Sequence, residues 1–399
     1  MHLENDPPVP LSNRLGILGV TLTNSLATGV LWNGLGFITS REYHYSASET
    51  YALFIAAGAI YALTAFFCGR FLARLDGTVT PRTVLILLGS IQALVAPLAL
   101  VGESSAGVIV IVLVTSMTGA CLWPIVESYV GAGRNPHETR RAVGKWCIAW
   151  MIAVALSLVL MGPLQRNEGW LTPAMALLAL APMSLLSIGF TCMLPSKPGH
   201  HAQSTEAPPA HYVAQLKSAR ILLPASYVLV GALNPLMPYV LDRLAMNPAY
   251  ETPLTAVWLT TRVVVAAVML GMSQWRGRWS TLLSGAIFLV AGFAIVVTAP
   301  SLGFIAAGLV LFGAGHGVIY YAALYYALRV GSASIDAGGT HEALIGLGYV
   351  VGPAAGLVGY SLGGGGSTVA VVCGLLAIAA IPAALPWIRH RRAHARISS

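Results

Sequence analysis

The chain has 399 residues, of which 56% are hydrophobic and only 9% are charged, and its formal net charge is +8. Ordinary soluble domains carry roughly 25% charged residues, so a soluble protein of this length would lack the polar side chains to cover its surface. The composition therefore excludes a soluble enzyme or binding module. It predicts an all-α integral membrane protein built from spans of roughly 20 residues each.

Apolar stretches along the chain predict twelve transmembrane helices, separated by short polar segments. Their predicted bounds are residues 14–39, 49–69, 82–101, 107–130, 142–164, 171–194, 220–245, 253–274, 280–299, 302–329, 341–363 and 368–388. They form two six-helix blocks, residues 14–194 and 220–388, joined by a linker at residues 195–219 and flanked by tails at 1–13 and 389–399. The linker is rich in proline and histidine and has too little apolar surface to fold alone.

The basic residues predict the orientation of these helices. An even number of spans places both termini on one side of the membrane. All 22 lysines and arginines fall on that side except Arg41, Arg166, Arg243 and Arg262, and the positive-inside rule then predicts cytoplasmic termini in a multi-pass protein of the cell's inner membrane. This distribution explains the positive charge without nucleic-acid binding, and the C-terminal run IRHRRAHAR is predicted to bind anionic lipids.

The two blocks resemble each other in sequence. Residues 28–37 read TGVLWNGLGF and residues 230–239 read VGALNPLMPY, so that Asn33 and Asn234 each precede a residue that loosens a helix. Paired six-helix halves in one chain are typical of secondary transporters, in which the substrate site lies between the halves near the middle of the membrane. The repeat therefore predicts two pseudo-symmetric bundles around a central site.

Two six-span blocks, a long linker and a basic loop after the second span resemble the major facilitator superfamily. The family's loop motif is partly kept in GRFLARLDG, residues 69–77, which has Gly69, Arg70 and Arg74 but Ala73 where an aspartate is expected. Asp76 and Gly77 are displaced, and the related loop after the eighth span, residues 271–278, is degenerate. The resemblance implies a twelve-helix transporter fold that works as a monomer.

A glycine motif in the eleventh span resembles the antiporter motif of the same family. Gly348, Gly352, Pro353 and Gly356 give the pattern GxxxGPxxG, which the family normally carries in the fifth span. Small residues at every fourth position let helices approach closely. The motif is therefore either a gating element or only a packing seam, and by itself it does not indicate antiport.

Two ionisable residues stand out because a charge in hydrocarbon costs at least about 2.5–3.5 kcal/mol on insertion scales. Arg262 lies near the middle of the eighth span, where it either pairs with an acid on another span or binds an anionic group of the substrate. Glu127 lies near the inner end of the fourth span. It is either a partner for Arg140, Arg141 or Lys145 or a proton carrier.

Histidine and aromatic residues mark the tenth span. His316 lies in mid-span with Tyr320 one turn further on, and histidine titrates near neutral pH. His316 is therefore either a hydrogen-bonded interior residue or part of a proton-coupled site. A metal site is not expected, because no second His, Cys or acid stands three or four positions away.

Other polar and aromatic side chains fall on spans one, four and seven, which together with span ten line the cavity in the resembled family. Asn24, Thr28 and Trp32 share one face of the first span, Trp123 precedes Glu127, and Asn234 lies in the seventh span. These residues are predicted to bind substrate together with Arg262, His316 and Tyr320.

His341 and Glu342 begin the eleventh span. They are either a gate or, in the simpler interpretation, an inter-half salt bridge with Arg74. Both interpretations place them at the contact between the two bundles.

The sequence thus predicts a secondary transporter that moves a small organic molecule, anionic or amphipathic, by alternating access. No GxxxxGK[ST] loop is present, so the energy would come from a proton or other ion gradient, and no cofactor is expected. Efflux of drugs or metabolites by antiport is the close alternative. A polytopic membrane enzyme or a non-transporting receptor are the more distant ones.

Overall fold

The computed structural model describes residues 11–74, 78–101, 105–132, 134, 136–199, 208–330 and 335–397. Within them the secondary structure is helical, apart from a single β-bridge between Glu168 and Leu171. The first half contains α1 Leu11–Arg41, α2 Ala47–Arg74, α3 Pro81–Leu100, α4 Ser105–Gly131, α5 Pro136–Met161 and α6 Ala174–Thr191. The second half contains α7 Ala210–Leu233, α8 Pro248–Gly271, α9 Trp279–Thr298, α10 Leu302–Val330 and a last helical stretch, Ile335–Ile397.

The last stretch is two helices that meet at a pair of glycines. Gly364 has φ 73° and ψ −145°, a conformation that only glycine adopts readily, and with Gly363 it interrupts the helix. We call residues 335–362 α11 and residues 365–397 α12. The described part of the chain therefore forms the twelve membrane-length helices that the hydrophobic pattern predicts.

The start of α7 differs from the prediction. The predicted linker, residues 195–219, overlaps the first turns of the helix, which begins at Ala210. Leu216 and Ala219 are buried there, so packing against the bundle stabilises helix in a stretch whose own apolar content is low. Residues 200–207 of the linker and the motif residues Asp76 and Gly77 lie outside the described residues.

Two helices are interrupted at equivalent positions in the two halves. α1 contains a π-helical turn at Val30–Gly34, and α7 breaks after Leu233 and resumes as Met237–Arg243. Pro235 and Pro238 lack the backbone N–H that would continue the helical ladder. Such breaks in membrane helices are tolerated where they are buried in protein or line a cavity, and both of these are buried.

The glycine motif of α11 packs against α7 within its own half. A Cβ at Gly352 would lie 2.3 Å from the carbonyl oxygen of Val228, and one at Gly348 would lie 2.4 Å from the Cβ of Tyr227. Pro353 packs on Gly231 of the same helix. These contacts show that Gly348, Gly352 and Pro353 form a packing seam between α7 and α11, and their predicted gating role stays a prediction.

The two halves meet along α2 and α11, where glycine again allows close approach. A Cβ at Gly58 would lie 2.3 Å from the carbonyl oxygen of Tyr349, and one at Gly346 would lie 2.6 Å from the Cα of Ala62. Because a Cβ fits at neither position, α2 and α11 touch backbone to backbone. This seam runs beside the centre of the bundle.

At the end of the bundle opposite the chain termini, polar contacts join the halves. Arg41 at the end of α1 forms ion pairs with Asp242, at 3.4 Å, and with the fully buried Glu251. The hydroxyl of Tyr239 donates to the carbonyl oxygen of Tyr45 at 2.7 Å, and that of Tyr51 donates to the carbonyl of Ala232 at 2.9 Å. These contacts close the opposite end over the centre of the protein.

Candidate functional site

A cavity lies between the two halves near the middle of the bundle. The centres of water molecules can occupy about 60 Å³ of it, which is room for a few waters. Its walls come from both halves and are formed by Thr28, Trp32, Asn33, Tyr61, Trp123, Trp146, Trp150, Val154, Tyr227, Val230, Trp258, Arg262, Tyr320, Glu342, Ile345 and Tyr349. The structure thus places a mostly aromatic chamber where the sequence predicts a substrate site.

Arg262 is the cation of this chamber. Its side chain is 3% exposed, and its guanidinium lies between two rings, with its carbon 4.5 Å from the ring centre of Trp150 and 4.4 Å from that of Tyr320. Cation–π contacts of this kind are worth roughly 0.5–2 kcal/mol each. They stabilise the charge through the faces of the guanidinium, while its N–H groups point outward along the edge, where an anion can bind.

Arg262 has no acidic partner among the described residues. Arg41 forms ion pairs with Asp242 and Glu251, whereas no ion pair of Arg262 is present among the described residues. The Nε and Nη2 atoms of Arg262 are buried without a hydrogen-bond partner among those residues. A buried charge without a partner is costly. The arrangement suits transient pairing with a carboxylate, sulfonate or phosphate that enters the cavity.

Trp32 is positioned by the π-helical turn of α1. Its ring stacks on Tyr349 of α11, with ring centres 3.9 Å apart and planes 8° from parallel, and Tyr61 of α2 meets it edge-on at 5.5 Å. The turn also leaves its carbonyl oxygen available, and the side-chain amide of Asn234 donates to it at 2.7 Å. π-Helical turns occur often at functional sites, and this one aims an aromatic face of the first half at the second.

Glu342 is the acid of the chamber, and it bonds across the halves. Its carboxylate accepts a hydrogen bond from the hydroxyl of Tyr61 on α2. No ion pair joins Glu342 to Arg74 in the described chain, and Arg74 is exposed at the end of α2. The predicted salt bridge with Arg74 is therefore wrong, because Tyr61 lies closer to the carboxylate.

Glu127 lies beside the start of α11, outside the lining of the chamber. Its Oε2 atom would be 2.8 Å from a Cβ at Gly338, one helical turn before Glu342. Its Oε1 atom is buried without a hydrogen-bond partner among the described residues. Acids from the two halves, Glu127 and Glu342, thus approach each other between the chamber and the end that carries the termini.

Three of the predicted substrate residues lie outside the chamber lining. Asn24 donates to Ser187 on α6 at 2.7 Å, and Asn234 is occupied by Trp32 and Asn33. His316 is fully buried behind the wall, 5.0 Å from the ring of Tyr227 and stacked at 6.2 Å on Tyr320. In this conformation the three side chains contact other parts of the protein and do not line the chamber.

His341 lies next to Glu342 but faces a different neighbour. Its ring is 5.8 Å from that of Tyr320, and its Nε2 atom is buried without a partner among the described residues. It does not line the chamber.

Of the predicted binding residues, the structure brings Thr28, Trp32, Trp123, Arg262 and Tyr320 together in the chamber wall.

Several lining residues are absent from the predicted set. Trp150, Trp258 and Tyr349 lie on helices outside spans one, four, seven and ten, and Tyr61 lies on α2. The sequence carries a signal for Trp150, which stands four residues after Trp146 in the fifth span. Five of the nine tryptophans of the chain line the chamber. Trp146 is fixed by an indole N–H bond to the hydroxyl of Thr21 at 2.8 Å.

Comparisons with solved structures agree with this architecture. The human organic anion transporter MFSD10 (TETRAN) superposes with a TM-score of 0.63 at 15% identity, covering 94% of this chain and 100% of that one. The nucleoside transporter NupG gives 0.64 at 12% identity, covering 95% and 99%. A bacterial homologue of the human lysosomal transporter Spinster, in an inward-facing and unoccupied conformation, gives 0.67 at 14% identity, covering 95% and 98%.

The sequence places the chain in a family. No curated protein matches it. The family model named Major Facilitator Superfamily, however, matches residues 17–334, which is most of the chain and runs from α1 through α10. With the twelve-helix fold and the solved transporters that share it, this match shows that the chain belongs to the Major Facilitator Superfamily of membrane transporters.

Proposed function

We propose that this protein is a secondary transporter that moves a small organic anion by alternating access, with Arg262 as the group that binds the anion. The observation that carries the proposal is the position of Arg262. It is buried in the central chamber, held between Trp150 and Tyr320, and without an acidic partner among the described residues. An anion that enters the chamber supplies the missing charge.

Alternating access follows from how the chamber is built. Its walls come from both halves, with Trp150 on α5 of the first half and Arg262 on α8 of the second, so a rocking motion of one half against the other changes access to Arg262. The Arg41 contacts at the opposite end, with Asp242 and Glu251, must break when that end opens. The substrate bridges the halves in place of these contacts.

Counterflow in proteoliposomes tests the transport proposal. Purified protein is reconstituted, the vesicles are loaded with unlabelled benzoate, and uptake of labelled benzoate is measured against protein-free vesicles and against vesicles loaded with glucose. We expect accelerated exchange that Arg262→Gln abolishes and Arg262→Lys partly keeps, since lysine retains the charge but not the fork of donors. Equal exchange by Arg262→Gln and the native protein contradicts the anion site.

We further propose that protons drive the transport and that Glu127 and Glu342 carry them. The two acids come from opposite halves and lie near each other between the chamber and the end with the termini. His316, the other predicted carrier, lies behind the chamber wall. An acid that exchanges partners when the halves separate can release its proton to one side of the membrane only.

A pH gradient across proteoliposomes separates these candidates. Glu127→Gln and Glu342→Gln should each lose gradient-driven accumulation while keeping counterflow, because glutamine preserves the packing but binds no proton. His316→Gln is the matched comparison and should keep the gradient response. If gradient-driven accumulation persists in both glutamate variants, neither Glu127 nor Glu342 carries the coupled proton.

The proposed orientation places the protein in the cell's inner membrane with both termini on the cytoplasmic side. It is supported by the concentration of lysine and arginine at the end of the bundle that carries the termini. A groove of about 450 Å³ between α7 and α12 at the same end is lined by Lys217, Arg389 and His390, and we propose that anionic lipid headgroups of the inner leaflet bind there. Protease or thiol-reagent access to tags at the C-terminus in spheroplasts and inverted vesicles tests the orientation.

A further inference from the structure

The walls of the central chamber have a composition that points to one class of anion. Nine of the sixteen lining residues are aromatic, and only Val154, Val230 and Ile345 are aliphatic. Tryptophan is concentrated there, since the chamber holds five of the nine in the chain. A pocket for an aliphatic acid needs apolar area of any shape, whereas flat and rigid rings favour a ligand that is itself flat.

The polar part of the wall is small. Apart from the aromatic residues, its polar side chains are Thr28, Asn33, Arg262 and Glu342. Asn33 is already bonded to Asn234, and Glu342 to Tyr61. The indole N–H groups of Trp150 and Trp258 have no partner among the described residues, so the rings add neutral donors to the wall. Arg262 is the one arginine or lysine among the lining residues, which fits a ligand with a single anionic group.

Two of the rings form a ready stacking surface across the halves. Trp32 belongs to α1 and Tyr349 to α11, and they lie parallel at 3.9 Å. Tyr61 meets both rings edge-on, at 5.5 and 6.1 Å, and fixes their orientation. Separating the halves by about one ring thickness, ~3.5 Å, opens a slot with two flat faces in the same chamber as Arg262.

We propose that the substrate is a small aryl carboxylate, whose carboxylate binds Arg262 and whose ring enters the stack of Trp32 and Tyr349. This inference rests on the proposed anion transport and names the class of anion. The chamber has room for only a few waters in this conformation, so the ligand is small, with a single ring that enters when the halves separate. The ring of the ligand replaces the contact between Trp32 and Tyr349, so that binding joins the halves through the ligand.

The affinities of two matched acids test the proposal without requiring transport. Benzoate and cyclohexanecarboxylate have the same charge and nearly the same size, but only benzoate is flat. Their dissociation constants are measured by isothermal titration of the full chain in lipid nanodiscs. We expect benzoate to bind about two- to tenfold more tightly, the range that aromatic stacking adds to burial of area.

Variants assign this preference to the stack. Trp32→Leu and Tyr349→Leu should each bring the ratio of the two dissociation constants close to one. Arg262→Gln should weaken both acids by a similar factor and preserve the ratio. Trp170→Leu is the matched control, because Trp170 is 78% exposed and lies outside the chamber. Thermal unfolding curves identify any variant that fails to fold. If one of Trp32→Leu and Tyr349→Leu does not fold, the other alone tests the stack.

Each result bears on one of the two proposals. Equal affinities of benzoate and cyclohexanecarboxylate for the native protein overturn the aryl preference, as does the absence of saturable benzoate binding. Tighter binding of phenylalanine than of benzoate overturns it in favour of a zwitterion held between Arg262 and Glu342. Selective binding of benzoate without benzoate counterflow would support the aryl site and contradict the proposed transport. Counterflow of non-aromatic acids, with no preference for aryl acids, would support anion transport and contradict the aryl site.

Discussion

The side-chain amide of Asn234 donates a hydrogen bond to the main-chain carbonyl of Trp32 across the two halves, at 2.7 Å. Both residues lie at interruptions of their helices, the π-helical turn of α1 and the break in α7. The interruptions free a carbonyl group that the helix would otherwise bond, and the partner half supplies its donor. The two related breaks of the pseudo-symmetric halves therefore meet at the edge of the central chamber.

Loss of this bond should loosen the contact between the halves. Asn234→Ala leaves a buried carbonyl without a donor, which costs about 1–3 kcal/mol, and we expect a lower Tm. Asn24→Ala is the matched comparison, since it removes an amide bonded to Ser187 within the first half. Both variants should unfold earlier, but only Asn234→Ala should lengthen distances between spin labels on the two halves. Unchanged distances would mean that the bond does not join the halves.

The Arg41 ion pairs should hold the opposite end closed. We expect Arg41→Gln to shift the protein toward states open at that end, because it releases Asp242 and the buried Glu251. Double electron–electron resonance between spin labels at Ser48 and Ser301, in a background without native cysteines, measures the distance across this end. Arg166→Gln is the control, since this exposed arginine lies at the same end. An identical distance distribution in Arg41→Gln and Arg166→Gln would show that the ion pairs are not a gate.

Two glycine seams should respond differently to alanine. Gly352→Ala forces a methyl group against the backbone of Val228 within the second half, so we expect reduced stability of that half. Gly58→Ala forces one against Tyr349 across the halves, so we expect slower exchange with a smaller change in Tm. Overpacking costs typically about 1–3 kcal/mol. Thermal unfolding and counterflow measured on both variants would contradict this assignment if the two effects were reversed.

The ring of Tyr320 should matter to Arg262 more than its hydroxyl does. Tyr320→Phe keeps a ring 4.4 Å from the guanidinium and should retain anion affinity. Tyr320→Leu removes the cation–π contact, worth about 0.5–2 kcal/mol, and should weaken benzoate binding by roughly two- to thirtyfold. Titration calorimetry distinguishes the two variants. An equal loss of benzoate affinity in both variants would show that the hydroxyl of Tyr320, and not its ring, supports the anion site.

Hydrophobic pattern predicted the fold well because each span is long and uniform. Arg262 could also be found from sequence, since an isolated charge in an apolar span is conspicuous. The partners of these residues could not be found in this way. Whether Asn234 faces substrate or Trp32, or whether Glu342 meets Arg74 or Tyr61, depends on how two halves distant in sequence are rotated against each other.

The chamber shows the same division. Trp32 and Trp123 were predicted from polarity on spans one and four, whereas Tyr61 and Tyr349 come from α2 and α11, whose close approach depends on Gly58 and Gly346. His316 appeared central because it lies in mid-span, but helix rotation places it behind Tyr320. Depth in the membrane can be counted along a sequence, while the direction of a side chain requires the packed bundle.

The position of a bound aryl carboxylate is the most direct test of the account. A cryo-electron microscopy structure of the full chain with benzoate, or a tighter aryl acid from the same binding assay, should show the carboxylate at hydrogen-bonding distance from the Arg262 guanidinium. The ring should lie against Trp32 or Tyr349. Density for the acid elsewhere, with Arg262 paired to an acidic residue of the protein, would contradict the central claim.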